Sequence, residues 1–435
     1  MNDINSRLAA LGAAIPGILL PRDLKNLSKW AVIACDQFTQ DRDYWEQVKK
    51  TVGDTPSCLN LILPEVYLED GGAEAREQRI RNIRNCMDSY IKGSVFAPPL
   101  RCCVYLERST PLHSLRRGIV LLVDLERYEW SPESRPLIRS TEGTIKERLP
   151  CRVEIRRGAP LELPHVLLLI DDEEDSLLPS LGEIARKHSP LYETPLMMKS
   201  GSVSGWALDT EEAWTVLAKG LETLADKSVS RYGTGTSSEK MYPFLFAVGD
   251  GNHSLAAAKA VWEDYKKAHA PETVVSGEAD LDSHPARWAM VEVENLYDPG
   301  ISFEPIHRVI FGAESSGLLK ALSALKDIEC RSEPALNVIR IECTSPDIAT
   351  ASLQPLLDSF IRENSLSIDY IHGEDEVIRL ASNPNRPAVG LILPPVRKDG
   401  LFRTVARTGP LPRKSFSMGE AEEKRFYLEC RKLFG

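Results

Sequence analysis

The sequence has no surplus of positive charge. Fifty-three basic side chains against sixty-three acidic ones leave a formal net charge of −10. That argues against a duplex nucleic-acid binder, because phosphate neutralisation needs a basic footprint. A local basic pocket for an anion is still compatible with the total. There is no convincing membrane span or signal peptide either. The opening stretch MNDINSRLAALGAAIPGILLPRD carries an acid early, and Pro16 breaks its short apolar run. No CxxC pair occurs, and the nine cysteines are irregularly spaced. Neither HxxxH nor HExxH is present, so a structural zinc site is not expected. These absences point to a reducing cytoplasm in which most cysteines act as small buried hydrophobes.

Several catalytic signatures are missing too. No Walker loop or GxGxxG fingerprint is found. The nearest approach to a Gly-x-Ser-x-Gly elbow, GSVSG at 201–205, has Val203 in the middle. No fixed-period repeat or heptad run is evident.

What is present is a chain of 435 residues, 43% hydrophobic and 27% charged, long enough for two or three domains. Apolar runs such as GIVLLVDLERYEW and HVLLLIDD read as strands, and TEEAWTVLAKGLETLADK has the period of an amphipathic helix. The pattern predicts a mixed α/β fold. An N-terminal α/β region spans 1–227, a Gly/Ser/Thr-rich linker or loop 228–242, and a C-terminal α/β region 243–435. A second polar loop is expected at 270–286. The C-terminal GEAEEKRFYLECRKLF reads as a charged amphipathic helix.

The densest polar junction lies in PFLFAVGDGNHSLAAAKAVWEDYKKA, residues 243–268. An apolar strand ends at Gly249-Asp250-Gly251, and an alanine-rich helix opens near Asn252–Leu255. A helix N-terminus offers free N–H groups and partial positive charge, and glycines allow close approach to the backbone. That is a phosphate site in outline. Asp250 suits a metal ion or a substrate hydroxyl, and His253 suits a phosphate oxygen or proton transfer. Asn252 or Ser254 suits the N-cap. An ordinary capped turn reads the same way.

Other polar residues stand at element ends. Asp36 and Gln37 close the run WAVIACDQF, and a carboxylate there needs a partner or a use. Thr141 and Glu142 lie in RSTEGTIKERLPCR, a segment that also suits an ion-paired helix. His165 precedes an apolar strand that ends in Asp171-Asp172, a pair suited to Mg²⁺ or to a solvated strand end. His307-Arg308 in FEPIHRVIF, Lys199 in MMKSGSVSG and Lys414-Ser415 in PRKSFSMG are basic or polar positions suited to phosphate. Ordinary turns and structural pairs account for the same residues.

VGDGNHSLAAAK resembles the signature ADGHHRxxAA of the domain of unknown function 1015 family. WAVIACDQFTQDRDYW, LNLILPEVYLE, FEPIHRVIF, DYIHG and PRKSFSMG fit the same family, so the resemblance covers nearly the whole chain. More distantly, the motif looks like the nucleotide-binding segment of the ParB/sulfiredoxin superfold, which includes free-serine kinases. That resemblance implies a ParB/sulfiredoxin-like core with additional mixed-sheet regions. It also implies that Gly249, Gly251, Asn252 and Ser254 cradle phosphate, and that Asp36 is the base toward a substrate hydroxyl. Ser254 stands where the family usually has Arg, so the cation must come from elsewhere. Lys199, Arg308 and Lys414 are the expected sources, with at least two converging on the cleft of Asp250 and His253.

The expected function is phosphoryl transfer with ATP or ADP and Mg²⁺ on Asp250, as a small-metabolite kinase or nucleotide phosphohydrolase. The alternative is a nucleotide-binding switch or interaction module. Expected partners are a nucleotide and a small molecule, not duplex nucleic acid or membrane; oligomeric state is left open.

Overall fold

The structure is a computed structural model. It describes every residue except 1, 40, 132, 145–148, 233–242, 270–280, 282, 327, 344, 345, 396, 413 and 435. The chain forms two compact units whose boundaries differ from the expected division around 228–242. One comprises residues 1–140, 144–301 and 421–435; the other comprises 141–143 and 302–420. Residues 228–232 continue the helix Glu211–Tyr232. The rest of the expected linker, most of the expected 270–286 loop and the charged residues Lys146, Glu147 and Arg148 lie outside the described residues.

The first unit is built on a mixed sheet with ten strands among the described residues. Its order runs Tyr192–Pro195, Ser202–Leu208, Cys103–Ser109, Arg116–Asp124, Trp288–Asn295, Leu167–Ile170, Phe246–Asp250, Ile138–Ser140, Tyr128–Glu129, with Ala13–Ala14 pairing off this path. Most neighbours are antiparallel, but Leu167–Ile170 is parallel to Trp288–Asn295, and Ile138–Ser140 is parallel to both Phe246–Asp250 and Tyr128–Glu129. The central strand Arg116–Asp124 shows why the sheet is buried on both faces. Ile119, Leu121 and Val123 enter one core and Val120 and Leu122 the other, as the period of two requires. Helix Glu211–Tyr232 covers the first face with Trp214, Leu217 and Leu221. Trp30, Trp45 and Met87 cover the second.

The expected C-terminal helix is not formed. Ala421–Glu423 is one turn of 3₁₀-helix, Phe426–Tyr427 pairs with Val32–Ile33, and Arg431–Lys432 pairs with Leu161–Glu162. Phe426, Tyr427 and Leu428 are consecutive and all buried. A surface helix with one apolar stripe cannot bury three successive residues.

The second unit has a six-stranded mixed sheet among the described residues, ordered Glu329–Glu333, Val338–Glu342, Ala388–Ile392, Phe303–Phe311, Ser367–His372. Phe416–Met418 pairs with Phe303–Pro305. Helices Ser315–Leu322 and Pro346–Glu363 contribute Leu318, Leu353 and Leu357 to one core. Val377 of Glu374–Ala381 enters a second.

Candidate functional site

The motif segment forms strand, tight turn and helix. Phe246, Ala247 and Val248 are buried, and the strand ends at Asp250. Gly251 has φ 82°, and a Cβ there would meet Val166 Cγ2 at 3.0 Å and Val166 Cα at 3.1 Å. Both the left-handed backbone and the close packing require glycine. The helix Asn252–Ala268 then begins with no side-chain cap. Ser254 N and Leu255 N each donate to Gly251 O at 3.0 Å. Asn252 is 9% exposed, and its Oδ1 is buried without a hydrogen-bond partner among the described residues. His253 and Gly249 are half-buried beside it.

Asp250 is held on both oxygens: Gly251 N donates to Oδ1 at 2.9 Å, and Lys424 Nζ lies 3.3 Å from Oδ2. Lys424 is itself buried, and a buried ammonium needs such a partner.

Ser254 is bound to His165. Its Oγ lies 2.9 Å from His165 Nε2, and the Tyr427 hydroxyl is 2.7 Å from Nδ1. Asp36 Oδ2 is 3.9 Å from the same Nε2, while Gln37 donates to Asp36 Oδ1 at 3.0 Å. Residues 36, 165 and 254 are thus gathered from distant parts of the chain. This is not a nucleophilic triad. A relay needs the hydroxyl on one imidazole nitrogen and the carboxylate on the other; here serine and aspartate share Nε2.

Burial pushes the Asp36 carboxyl up, but His165, the Gln37 amide, Arg152 and Lys424 outweigh it and hold the carboxyl below its usual range. Asp36 is therefore ionised at neutral pH. Cys35 stands opposite in character. Burial, aided by Asp36, pushes its thiol up to about 12. The Tyr427 hydroxyl, 3.2 Å away, donates to its sulfur. Cys35 is a thiol rather than a thiolate, so it is no nucleophile at neutral pH.

Beside this cluster is a cavity of about 150 Å³. Asp36, His165, Ser254 and Tyr427 form a polar part of its wall, with an Arg152–Glu65 ion pair. Leu61, Ile62, Met87, Ile155, Leu163 and Met290 supply much of the rest.

The expected cations are each held by their own surroundings. Arg308 lies in the second unit, fully buried. It donates to Gln354 Oε1 from Nε at 3.2 Å and Nη2 at 3.1 Å, and to the carbonyls of Ile306 and Lys414. Its guanidinium is committed to the protein.

Lys414 and Ser415 belong to the same unit, where the loop folds around Glu142. Ser415 N donates to Glu142 Oε1 at 2.9 Å and Phe416 N at 3.4 Å. The N–H groups read as a phosphate loop are thus occupied by a carboxylate, which burial pushes up. Thr141 is buried beside it, and its carbonyl accepts from Leu411 N. His307 accepts from Leu393 N on Nδ1 at 3.1 Å, and burial lowers its pKa to about 4. It is a neutral structural histidine. Lys199 sits with φ 60° in the turn between Tyr192–Pro195 and Ser202–Leu208, and it does not line the cavity.

The strand-end acids are used structurally. Asp171 accepts from Arg231, Tyr232 and Tyr297, and Asp172 from the backbone of Ser176 and Leu177. Among the described residues no three His, Cys, Asp or Glu side chains group as metal ligands. Asp250 is the one carboxylate at the turn, and its oxygens already meet Gly251 N and Lys424 Nζ.

The residues missed in the sequence are Lys424, Tyr427, Arg152 and Cys35. Lys424 and Tyr427 were hidden by reading EEKRFYLEC as helix. Cys35 adjoins Asp36 but carried no motif.

A family model described as Protein of unknown function (DUF1015) matches residues 16–429. No curated protein matches the chain. Among solved structures it is similar to a conserved hypothetical protein from Pyrococcus furiosus, at 9% identity and TM-score 0.35, covering 72% of this chain and 95% of that one. A free serine kinase in complex with AMP has 8% identity and TM-score 0.36, with 72% and 92% covered. Among the described residues no helix is long and apolar enough to cross a membrane.

Proposed function

This chain belongs to the DUF1015 family of proteins of unknown function, and we propose that it binds the phosphates of a nucleoside di- or triphosphate at Gly249–Ser254 and transfers the terminal phosphoryl group to a small hydroxylated metabolite. The observation that carries this reading is the uncapped start of the helix Asn252–Ala268 behind the left-handed Gly251. The positive end of the helix dipole, with no capping side chain over it, suits phosphate oxygens. Lys424, at the same turn, supplies the cation that Ser254 cannot. Asp36 is the base toward the acceptor hydroxyl. A weakly basic carboxylate suffices, because phosphoryl transfer depends on positioning and charge stabilisation, with little covalent work for the protein. His165 orients Ser254, and Tyr427 fixes the imidazole. No step is routed through a metal.

Isothermal titration with ADP, ATP and CTP tests the site. Lys424→Ala is expected to weaken nucleotide binding by about 1.5–3 kcal/mol, the range for a hydrogen bond to a charged group. Unchanged affinity in a folded Lys424→Ala variant removes the turn from the site. Asp36→Asn is expected to lower turnover by about 10²–10⁴-fold, the usual contribution of a general base, with nucleotide affinity retained.

A second reading, a nucleotide-binding module without turnover, is favoured by one observation. Lys424 is already paired with Asp250, leaving little cationic charge for a transition state. Nucleotide binding without phosphorylated product across a metabolite pool would select it.

A further inference from the structure

We propose that the acceptor is amphipathic: a hydroxyl carried on a compact, uncharged apolar body that fills the cavity beside His165. This rests on the phosphoryl-transfer reading and deepens it. The cavity holds about 150 Å³, and an apolar cavity of about that size accommodates a benzene ring. Its wall has two characters. Asp36, His165, Ser254 and Tyr427 are linked to one another by the short contacts described above, so they form one continuous polar patch. Leu61, Ile62, Met87, Ile155, Leu163 and Met290 offer no hydrogen bond to a polar ligand. Small-molecule sites are built in this way, mostly apolar with a few convergent polar groups.

The charges in the wall also select. Arg152 pairs with Glu65, and Arg156 with Glu162. Asp36 remains as an acceptor beside the hydroxyls of Ser254 and Tyr427 and the imidazole of His165. A free amino acid that set its ammonium beside Asp36 would carry its carboxylate into the aliphatic part of the wall, at a desolvation cost. An alcohol on an aryl or short alkyl body meets one acceptor with one donor and places the remainder against carbon.

The reaction balances with the groups named. The hydroxyl oxygen attacks the terminal phosphorus and forms the new P–O bond. The bridging P–O bond to the leaving nucleotide breaks, and its electron pair stays on that nucleotide. The hydroxyl proton passes to Asp36. The products are a phosphate monoester and the nucleotide shortened by one phosphoryl group.

Ligand-observed NMR and calorimetry on the full chain test the seat, with 2-phenylethanol and 1-hexanol as probes and serine as the polar comparison, each with and without ADP. Both alcohols are expected to bind and serine not. Ala257→Leu adds side-chain volume at a residue that lines the cavity and is expected to weaken alcohol binding about tenfold or more, since overfilling a packed site is unfavourable. Ile155→Phe on the helix Leu149–Arg156 provides a second filling variant should the first not fold. Failure of both alcohols to bind, or tighter binding of serine, overturns the proposal. Alcohol binding that both folded variants leave unchanged overturns it as well. The ADP titration separates the two readings. If ADP binds and the alcohols do not, the acceptor class is wrong and the nucleotide site stands. If the alcohols bind and ADP does not, the apolar seat stands and phosphoryl transfer falls.

Discussion

Glu294 shows at the scale of a single residue how far burial governs charge in this protein. It is fully buried on the strand Trp288–Asn295. Desolvation and the neighbouring Glu292 raise its pKa from 4.5 to about 8, although Arg116 opposes them from 2.9 Å. The folded state therefore holds a proton at pH 7 that the unfolded chain has released. The resulting stability is fully present below about pH 4.5 and is lost as pH rises towards 8. The thermal midpoint is expected to fall between pH 5 and pH 8, and Glu294→Gln to flatten that dependence; an unchanged slope in the variant would assign the loss to other groups. A second residue-scale prediction concerns Tyr427→Phe. It removes the hydroxyl shared with His165 and Cys35 and is expected to cost about 0.5–1.5 kcal/mol by urea denaturation. A larger loss in turnover than in nucleotide affinity would accompany it. Asp36, His165 and Ser254 were legible as polar residues at the ends of apolar elements. Arg308 and His307 carried the same sequence signal, yet the structure uses them inside a core. Sequence shows that a buried polar group needs a partner; it does not show whether protein or ligand provides it.

At the scale of elements, the motif turn makes a sharper claim. Gly251→Ala would place a side chain at φ 82° and drive it against Val166. The left-handed backbone alone costs about 1–2 kcal/mol, so a loss of about 1–3 kcal/mol is expected on chemical denaturation, together with weaker nucleotide binding. Full stability in Gly251→Ala would mean that the turn relaxes freely and is no rigid cradle. The strand–turn–helix was readable because an apolar run, a Gly-Asp-Gly break and an alanine-rich helix each state their own preference locally. The segment 421–435 was misread for a corresponding reason. Its mixed charges imitate an amphipathic helix, whereas its strands are fixed by pairing with Val32–Ile33 and Leu161–Glu162, partners far away in sequence. Tertiary pairing overrides a local pattern.

At the scale of the whole molecule, mixed α/β character was legible from the alternation of strand and helix patterns. The discontinuous course of the chain was not, because a contact between residue 33 and residue 426 leaves no local mark. The first unit takes Phe426, Tyr427, Leu428 and Cys430 into one of its cores. Removal of residues 421–435 is therefore expected to leave a chain without a cooperative thermal transition, its cost exceeding the about 2–5 kcal/mol of a single large core truncation. A truncated chain that melts normally would show this segment to be dispensable. The same return has a consequence in time. Residues 302–420 must leave the ribosome before Lys424 and Tyr427 do, so the nascent first unit waits, with one core open, until synthesis has passed the second. A message broken within the second unit yields a product that lacks both residues and leaves that core unfilled.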